Sequence, residues 1–348
     1  MGKYPVVVAT SVIRSAERGE SHGGVYLVDL DSERYTQVID WETEDISWEG
    51  RGGDRGLRGI SFYEGRIYLA ASDEIFVYDN KFNKIGSIKN RYLKHCHEIH
   101  AEDDAIYLTS TGYDSVLKYK PSKDEFVKGI CFRGRKNYCI RNHILDASKI
   151  VKKLSNRFGY FVQRKANEYY YSKYKGEGFL FDPKKDGGPI REDTLHINNV
   201  CVKNNIVYAS GRKFGYIISE NEGEFEKCFK IPKGSHNAKP LHHDKSIVNN
   251  TSEDKVEILK RDGSIIKEYN IPRYGEGRIE HKIPKDHARQ AFARGLCVHN
   301  ENLIIVGASP ATIYVYDMEE PNPKRSVNIT LDVRNSIHGL EVWPFDND

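Results

Sequence analysis

The chain has 348 residues, of which 39% are hydrophobic and 30% charged, and its formal net charge is +3. This composition excludes a disordered chain, and its interspersed acids and bases produce no strong overall field toward nucleic acid or an anionic membrane. No stretch approaches the roughly 18 apolar residues that a membrane-spanning helix needs. The N-terminal apolar run also lacks the small-residue cleavage site of a secretory signal.

Six cysteines are scattered along the chain without a CxxC pair, and several alternate with apolar residues in predicted strands. Such spacing is typical of buried thiols rather than of disulfides or zinc ligands. We therefore expect a reducing, cytoplasmic compartment and no membrane association.

The first predicted elements are three strands near the N-terminus, VVVATS (6–11), GVYLVDL (24–30) and YTQVIDW (35–41). A repeat of about 40 residues follows, in which a short apolar strand, a polar hairpin and a second strand ending in small residues recur. Each copy continues into a third and a fourth strand, such as EIFVYD (74–79) and NKIGSIK. The five complete copies begin at Arg58, His97, Asn198, Ala238 and Arg294.

The C-terminal segment HGLEVWP, from His338, matches only the first strand of the repeat. The N-terminal strands match the second, third and fourth, so pairing of the termini would complete a blade and remove two sheet edges. Four antiparallel strands per repeat are typical of a propeller blade. The sequence therefore predicts an all-β fold, a single six-bladed β-propeller domain over residues 1–348.

The spacing between the repeats at His97 and Asn198 is much longer than the others, which predicts an insertion over residues 133–193. It contains a predicted helix over Ala147–Ser155 and a Tyr-rich segment, and an insertion of this length often acts as a lid or binding loop. Its GFLFD segment resembles a third strand. A degenerate seventh blade is therefore the alternative count.

Alignment of the repeats predicts a cluster of histidine and arginine at one end of the central channel. The start of the innermost strand is occupied by Arg58, His97, Asn198, Ala238, Arg294 and His338. The positions two residues upstream are occupied by Gly56, His95, His196, His236, Phe292 and Ser336. An offset of two keeps side chains on one side of a strand, so both sets should converge, with Arg55 nearby.

Such a cluster requires a ligand, a metal, counter-charges, or hydrogen bonds to neighbouring blades and channel water. Our first hypothesis is a small anionic ligand that is bound and, if the protein is an enzyme, transformed. The expected ligand-binding residues are Arg55, Arg58, Arg294, Asn198 and His95. The expected proton-transferring residues are His97, His196, His236 and His338.

Two alternatives stay open. His97, His196, His236 and His338 could instead hold a divalent metal, the one cofactor that the pattern suggests, in a hydrolase or oxygenase. The protein could also be a non-catalytic scaffold that binds a protein partner through the propeller face. The basic and aromatic segments RGRKNY and NEYYYSKYK fit a Lys- and Tyr-rich surface, so a nucleic-acid partner is not expected.

The segments GGVYLVDL, DRGLRGISF, KHCHEIH, DTLHINNV, SHNAKPL and SIHGLEVWP resemble an uncharacterised family of microbial propeller proteins. At a greater distance the chain is similar to the gluconolactonase-like and NHL-type six-bladed propellers. That resemblance implies a ligand or metal site at the axial mouth. It implies no particular reaction.

Overall fold

The strands bury apolar side chains on both faces, because each sheet packs between two others. In the first N-terminal strand, Val7 and Ala9 contact the preceding sheet, whereas Val8 contacts the following one. The computed structural model describes residues 4–17, 19–42, 56–134, 178–281 and 289–345. Across these residues the strands form six antiparallel sheets, with one apolar cluster in each interface between neighbouring sheets. The protein is a six-bladed β-propeller, as predicted.

The strands are given blade by blade, from the axis outward. The closing blade contains β25 (Asn335–Val342), β1 (Val6–Ile13), β2 (Gly24–Asp29) and β3 (Arg34–Asp40). The second blade contains β4 (Ile60–Tyr63), β5 (Arg66–Ala70), β6 (Ile75–Tyr78) and β7 (Lys84–Ile88). The third contains β8 (Ile99–Glu102), β9 (Ala105–Ser110), β10 (Ser115–Lys120), β11 (Glu125–Cys131) and β12 (Phe179–Phe181).

The remaining three blades have four strands each. The fourth contains β13 (Ile197–Lys203), β14 (Ile206–Gly211), β15 (Tyr216–Asn221) and β16 (Glu224–Lys230). The fifth contains β17 (Ala238–Pro240), β18 (Lys245–Asn250), β19 (Lys255–Lys260) and β20 (Ile265–Asn270). The sixth contains β21 (Gly295–His299), β22 (Leu303–Ala308), β23 (Thr312–Asp317) and β24 (Pro323–Asn328). Short 3-10 helices cover Thr111–Tyr113, Pro121–Lys123 and Glu276–Arg278.

The ring is closed by pairing of the N- and C-terminal strands, as the sequence predicted. The C-terminal β25 is the innermost strand of the blade that β1, β2 and β3 complete. It pairs antiparallel with β1, with Val7 opposite Val342 and Ala9 opposite Leu340. No helix in the described part of the chain is both long and apolar enough to cross a membrane.

The GFLFD segment does not begin a seventh blade. It forms β12, which pairs antiparallel with β11 as a fifth strand on the outer edge of the third blade. The alternative count of seven blades is therefore wrong, because this strand extends an existing sheet. The predicted helix over Ala147–Ser155 and the Tyr-rich segment lie outside the described residues, so a lid role for the insertion stays a prediction.

Glycines allow the innermost strands to approach one another closely at the axis. A Cβ added to Gly339 would lie 2.3 Å from the carbonyl oxygen of Arg58, and one added to Gly59 would lie 2.6 Å from the Cα of Glu98. Side chains at or just after the ends of the second strands connect neighbouring blades, as where Thr251, which follows β18, donates its Oγ1–H to the carbonyl of Ala293 at 3.1 Å. This close packing draws the starts of the innermost strands together around the axis.

Candidate functional site

Each innermost strand has an equivalent residue next to the axis. Arg58, His236 and Arg294 each donate their backbone N–H to the second strand of their own blade, at 2.9–3.0 Å. The N–H of His97 donates instead to Oγ1 of Thr109, and Asn198 and His338 lie at the register shifts of their strands. We call this set the axial ring, and it consists of Arg58, His97, Asn198, His236, Arg294 and His338.

The sequence alignment is shifted by two residues in the fifth blade. It placed Ala238 in the position that His236 occupies, because β17 begins at Ala238 and is only three residues long. In the second and third blades, too, the strand begins two residues after the ring residue, at Ile60 and Ile99. The correction gives the axial ring a third histidine.

A cavity of about 370 Å³ opens at this end of the axis. Five of the predicted site residues line it, namely Arg58, His97, His196, His236 and Arg294. Sequence reasoning missed Arg212 and Arg289, and it placed Phe292 near the axis without a role, although all three also line the cavity. None of the described lining residues is a carboxylate, so the cavity wall is positively charged.

The other predicted site residues are placed differently. Asn198 is fully buried, its amide donates to the carbonyl of Ser235 at 3.4 Å, and its Oδ1 has no hydrogen-bond partner among the described residues. His95 is not among the described lining residues, and its carbonyl oxygen accepts a hydrogen bond from His97 at 2.8 Å. Arg55 lies outside the described residues.

The imidazoles of the axial ring form one cluster. The ring centroid of His97 lies 5.9 Å from that of His236 and 5.7 Å from that of His338, and the last two lie 4.9 Å apart. His196 joins from the side, 5.2 Å from His97. One nitrogen from each of His97, His236 and His338 lies within 4.8 Å of the others, and His196 is not part of that group.

The protonation of His97 follows from its partners. Nη1 of Arg58 lies 2.8 Å from Nε2 of His97, and a guanidinium can only donate, so Nε2 accepts. Nδ1 lies 2.8 Å from the carbonyl oxygen of His95, which can only accept, so Nδ1 carries the proton. His97 is therefore a neutral imidazole in the Nδ1–H form, with both nitrogens engaged.

Burial keeps two further histidines neutral. It lowers the pKa of His236 well below the usual range, and the charge of Arg294 lowers that pKa further. Burial also lowers the pKa of His338, with additional contributions from His236 and Arg294. Neither ring nitrogen of His338 has a hydrogen-bond partner among the described residues. These neutral imidazoles have lone pairs that can accept a hydrogen bond from a bound molecule.

His196 is paired with a carboxylate that the sequence analysis did not select. Its Nδ1 lies 2.8 Å from Oδ2 of Asp193. Nζ of Lys213 donates to the other oxygen of that carboxylate, Oδ1, at 3.0 Å. Burial raises the pKa of Asp193, but its bonds to His196 and Lys213 outweigh this effect and lower the pKa to about 2. The sequence signal that could have identified this pair is the spacing of three residues between Asp193 and His196.

A buried ion pair holds the segment that carries this pair. Asp114 accepts backbone N–H bonds from Thr194, Leu195 and His196 at 2.8–3.0 Å. Arg133, which is 1% exposed, donates to Asp114 at 3.2 Å and to the carbonyl of Ile190 at 2.9 Å. The third blade thereby fixes the backbone at His196.

Phe292 organises the arginines on the opposite wall. The guanidinium carbons of Arg294, Arg14 and Arg289 lie 4.6, 4.8 and 5.1 Å from the centre of its ring. Arg289 also pairs with Asp254 and donates to the carbonyl of Thr251. Cation–π stacking restricts these long side chains before any ligand binds.

No protein-family model matches the sequence, and no curated protein matches it either. Solved structures share its fold. A protein of unknown function from Bacteroides caccae is 8% identical, with 97% of this chain and 98% of that chain covered and a TM-score of 0.54.

Two further solved structures are more distant. The C-terminal WD40 domain of Sif2 is 8% identical, with 99% of this chain and 90% of that chain covered and a TM-score of 0.48. Virginiamycin B lyase from Staphylococcus aureus, solved with quinupristin, is 13% identical, with 88% and 78% covered and a TM-score of 0.44. At 8% identity, the similarity to the Bacteroides caccae protein shows a shared fold and no function.

Proposed function

We propose that this propeller binds a small anionic molecule in the axial cavity and that neutral imidazoles of the axial ring exchange protons with it. The observation that carries the proposal is the charge of the wall. Four arginines, Arg58, Arg212, Arg289 and Arg294, line a space of about 370 Å³, and none of the described lining residues is a carboxylate. Guanidinium groups bind carboxylate, phosphate and sulfate by paired, charge-assisted hydrogen bonds.

The stacking on Phe292 supports the same conclusion. Arg289 and Arg294, which both line the cavity, stack on this ring, and the stacking holds their guanidinium groups in place on the wall. Preset donors of this kind favour the binding of an anion. The imidazole of His236, which lines the same cavity, is neutral because burial and Arg294 lower its pKa. A bound anion beside Arg294 would offset the charge of that arginine and so favour transfer of a proton to His236.

The metal alternative fits less well. His97, His236 and His338 are compact enough to share an ion. However, Nε2 of His97 already accepts from Arg58, and its Nδ1 donates to a carbonyl, so neither nitrogen offers a lone pair. A metal cation would have to displace Arg58 and bind beside Arg294. Arg58 and Arg294 are positively charged, and such side chains next to a metal cation repel it.

The cytoplasmic location belongs to the same proposal. All five described cysteines are free thiols, and burial raises the pKa of Cys96 and Cys297 to about 12. Buried, protonated thiols suit a reducing compartment and have no nucleophilic role. A role as a protein scaffold through the propeller face is also compatible with this fold. A ligand-binding experiment distinguishes the two functions, because only the proposed one requires a bound anion.

The decisive experiment is a thermal-shift and calorimetric titration with inorganic phosphate, sulfate and benzoate. We expect at least one anion to raise the Tm of the wild type, and Arg294→Gln and Arg58→Gln each to weaken its binding about tenfold or more. Arg325→Gln is the matched control, because Arg325 pairs with Glu33 on the outer surface. Equal binding by the wild type and both cavity variants would refute the proposal.

A further inference from the structure

A polar chain crosses the channel below the axial ring. Nδ1 of His236 lies 3.0 Å from Oδ1 of Asn237, and Nδ2 of Asn237 lies 2.6 Å from Oε2 of Glu98. Glu98 precedes β8 in the third blade and Asn237 precedes β17 in the fifth, so the bond between them passes the fourth blade altogether. All three residues are buried, with exposures of 5%, 1% and 8% for His236, Asn237 and Glu98.

The chemistry of the three groups sets the direction of both hydrogen bonds. An ionised carboxylate only accepts, so the amide nitrogen of Asn237 faces Glu98 and its carbonyl oxygen faces His236. A carbonyl oxygen also only accepts, so Nδ1 of His236 must carry the proton. Nε2 is then the nitrogen with the free lone pair.

We propose that Glu98, acting through Asn237, is a positioning residue that fixes His236 as the Nδ1–H tautomer and makes its Nε2 the proton acceptor for the molecule bound in the cavity. This inference rests on the proposed function for its biological meaning. The tautomer itself is a property of the protein alone. Glu98 is next to His97 in sequence, yet it orients the histidine of a different blade.

The other histidines of the axial ring lack this arrangement. Both nitrogens of His97 are engaged, Nε2 by the Arg58 guanidinium and Nδ1 by a carbonyl. His338 is followed by Gly339, which has no side chain to orient it, and its ring nitrogens have no partner among the described residues. Within the axial ring, His236 is thus the one described histidine that has both an oriented imidazole and an open nitrogen. His196, outside the axial ring, is oriented separately by Asp193.

The proton transfer balances without a further reactant. A proton leaves the bound molecule and forms an N–H bond at Nε2 of His236, which becomes an imidazolium. Nδ1–H stays bonded to Asn237, and the carboxylate of Glu98 stabilises the new positive charge through the amide. The proton returns from Nε2 to the product or to water.

The directions of the hydrogen bonds from His236 to Asn237 and from Asn237 to Glu98 require Glu98 to be ionised. Burial raises its pKa to about 8; Lys239 opposes this shift and Glu341 adds to it. The thiol of Cys96 also lies near Glu98, and the charge of Glu98 contributes to the raised pKa of that thiol. Measurement of the tautomer therefore belongs above pH 8, where Glu98 is a carboxylate.

The test is the two-bond ¹H–¹⁵N correlation spectrum of histidine-labelled protein above pH 8, with His236→Gln used to assign the signal. We expect a single neutral Nδ1–H pattern in the wild type. Glu98→Gln should show both tautomers, because a glutamine amide can donate to the Asn237 oxygen and turn the Asn237 amide toward His236. Glu341→Gln is the matched control, since Glu341 contacts Lys239 and Cys297 rather than Asn237.

Two outcomes would overturn the inference. One is an Nε2–H pattern in the wild type, which needs no variant to fold. The other is an unchanged single tautomer in a folded Glu98→Gln protein. Phosphate binding is measured in parallel, and we expect Glu98→Gln to keep it, because Glu98 does not line the cavity. If no anion binds the wild type, the proposed function fails while the tautomer result still decides the role of Glu98.

Discussion

Nη1 of Arg58 lies 2.8 Å from Nε2 of His97, and this contact decides what the histidine cluster can bind. The guanidinium uses the lone pair that a metal would need and adds a positive charge beside it. His236 and His338 remain with nitrogens that are not committed to an arginine. Under the proposed function, the same three imidazoles therefore belong to an anion site as long as Arg58 is present.

Removal of Arg58 should convert the cluster into a metal site. In Arg58→Met, Nε2 of His97 loses its arginine donor, and one cation is removed from beside the group of His97, His236 and His338. We expect Zn²⁺ affinity to rise at least tenfold over the wild type in a chelator-competition titration. His338→Gln in the same background removes a ligand and should reverse the gain. Stoichiometric zinc in wild-type protein purified without added metal would contradict this prediction.

The blades could be predicted from the sequence because their signals are local. Alternating apolar residues and hairpin turns recur within each repeat, and the closing strand HGLEVWP matches the same pattern. The ring residue of the fifth blade could not be placed in this way, because His236 precedes a strand of only three residues. Local periodicity is too weak there to fix the register.

The rest of the site depends on contacts between distant segments. Arg212 follows the second strand of its blade and Arg289 precedes the sixth blade, so neither belongs to the aligned part of the repeat. Asp114 accepts a hydrogen bond from the backbone of His196, which is 82 residues away in the sequence. Pairing between residues this far apart in sequence is not encoded in any short pattern.

Phe292 should contribute to anion binding although it carries no charge itself. Phe292→Leu keeps an apolar side chain but removes the ring face on which Arg294, Arg14 and Arg289 stack. The guanidinium groups then lose their preset positions, and we expect anion affinity to fall about tenfold by calorimetry. Phe76→Leu removes a comparable ring under Lys84, outside the cavity, and should leave affinity unchanged. A fall of the same size in both variants would indicate a general effect on the fold.

The buried histidines should make stability depend on pH. The folded pKa of His338 lies well below its ordinary value of 6.5, so the unfolded chain takes up the proton first as the pH falls. The stability that comes from keeping His338 neutral is present above pH 6.5 and is lost below it, by about 1.4 kcal/mol per pH unit for one proton.

The stabilities of His338→Gln and the wild type should therefore converge, or cross, on acidification. Urea denaturation between about pH 7.5 and 5 measures the difference, and comparison at each pH cancels the opposite contribution of Glu98, whose pKa is raised. His242→Gln is the control, because the imidazole of His242 is 57% exposed and lies outside the axial cavity. A constant difference between His338→Gln and the wild type would show that His338 is not kept neutral by the fold.

The ion pair of Asp114 and Arg133 should stabilise both the fold and the site. Asp114→Ala leaves the buried Arg133 guanidinium without this carboxylate and strips three backbone N–H groups of their acceptor, so we expect a loss of about 3–5 kcal/mol in urea denaturation. Asp114→Asn keeps an oxygen acceptor and suits the left-handed backbone at this position, where φ is 50°. The loss of stability in Asp114→Asn should be clearly smaller than in Asp114→Ala, and Asp114→Asn should still bind the anion. If both substitutions cost the same, the charge of Asp114, rather than its hydrogen bonds to the segment at His196, is what holds that segment in place.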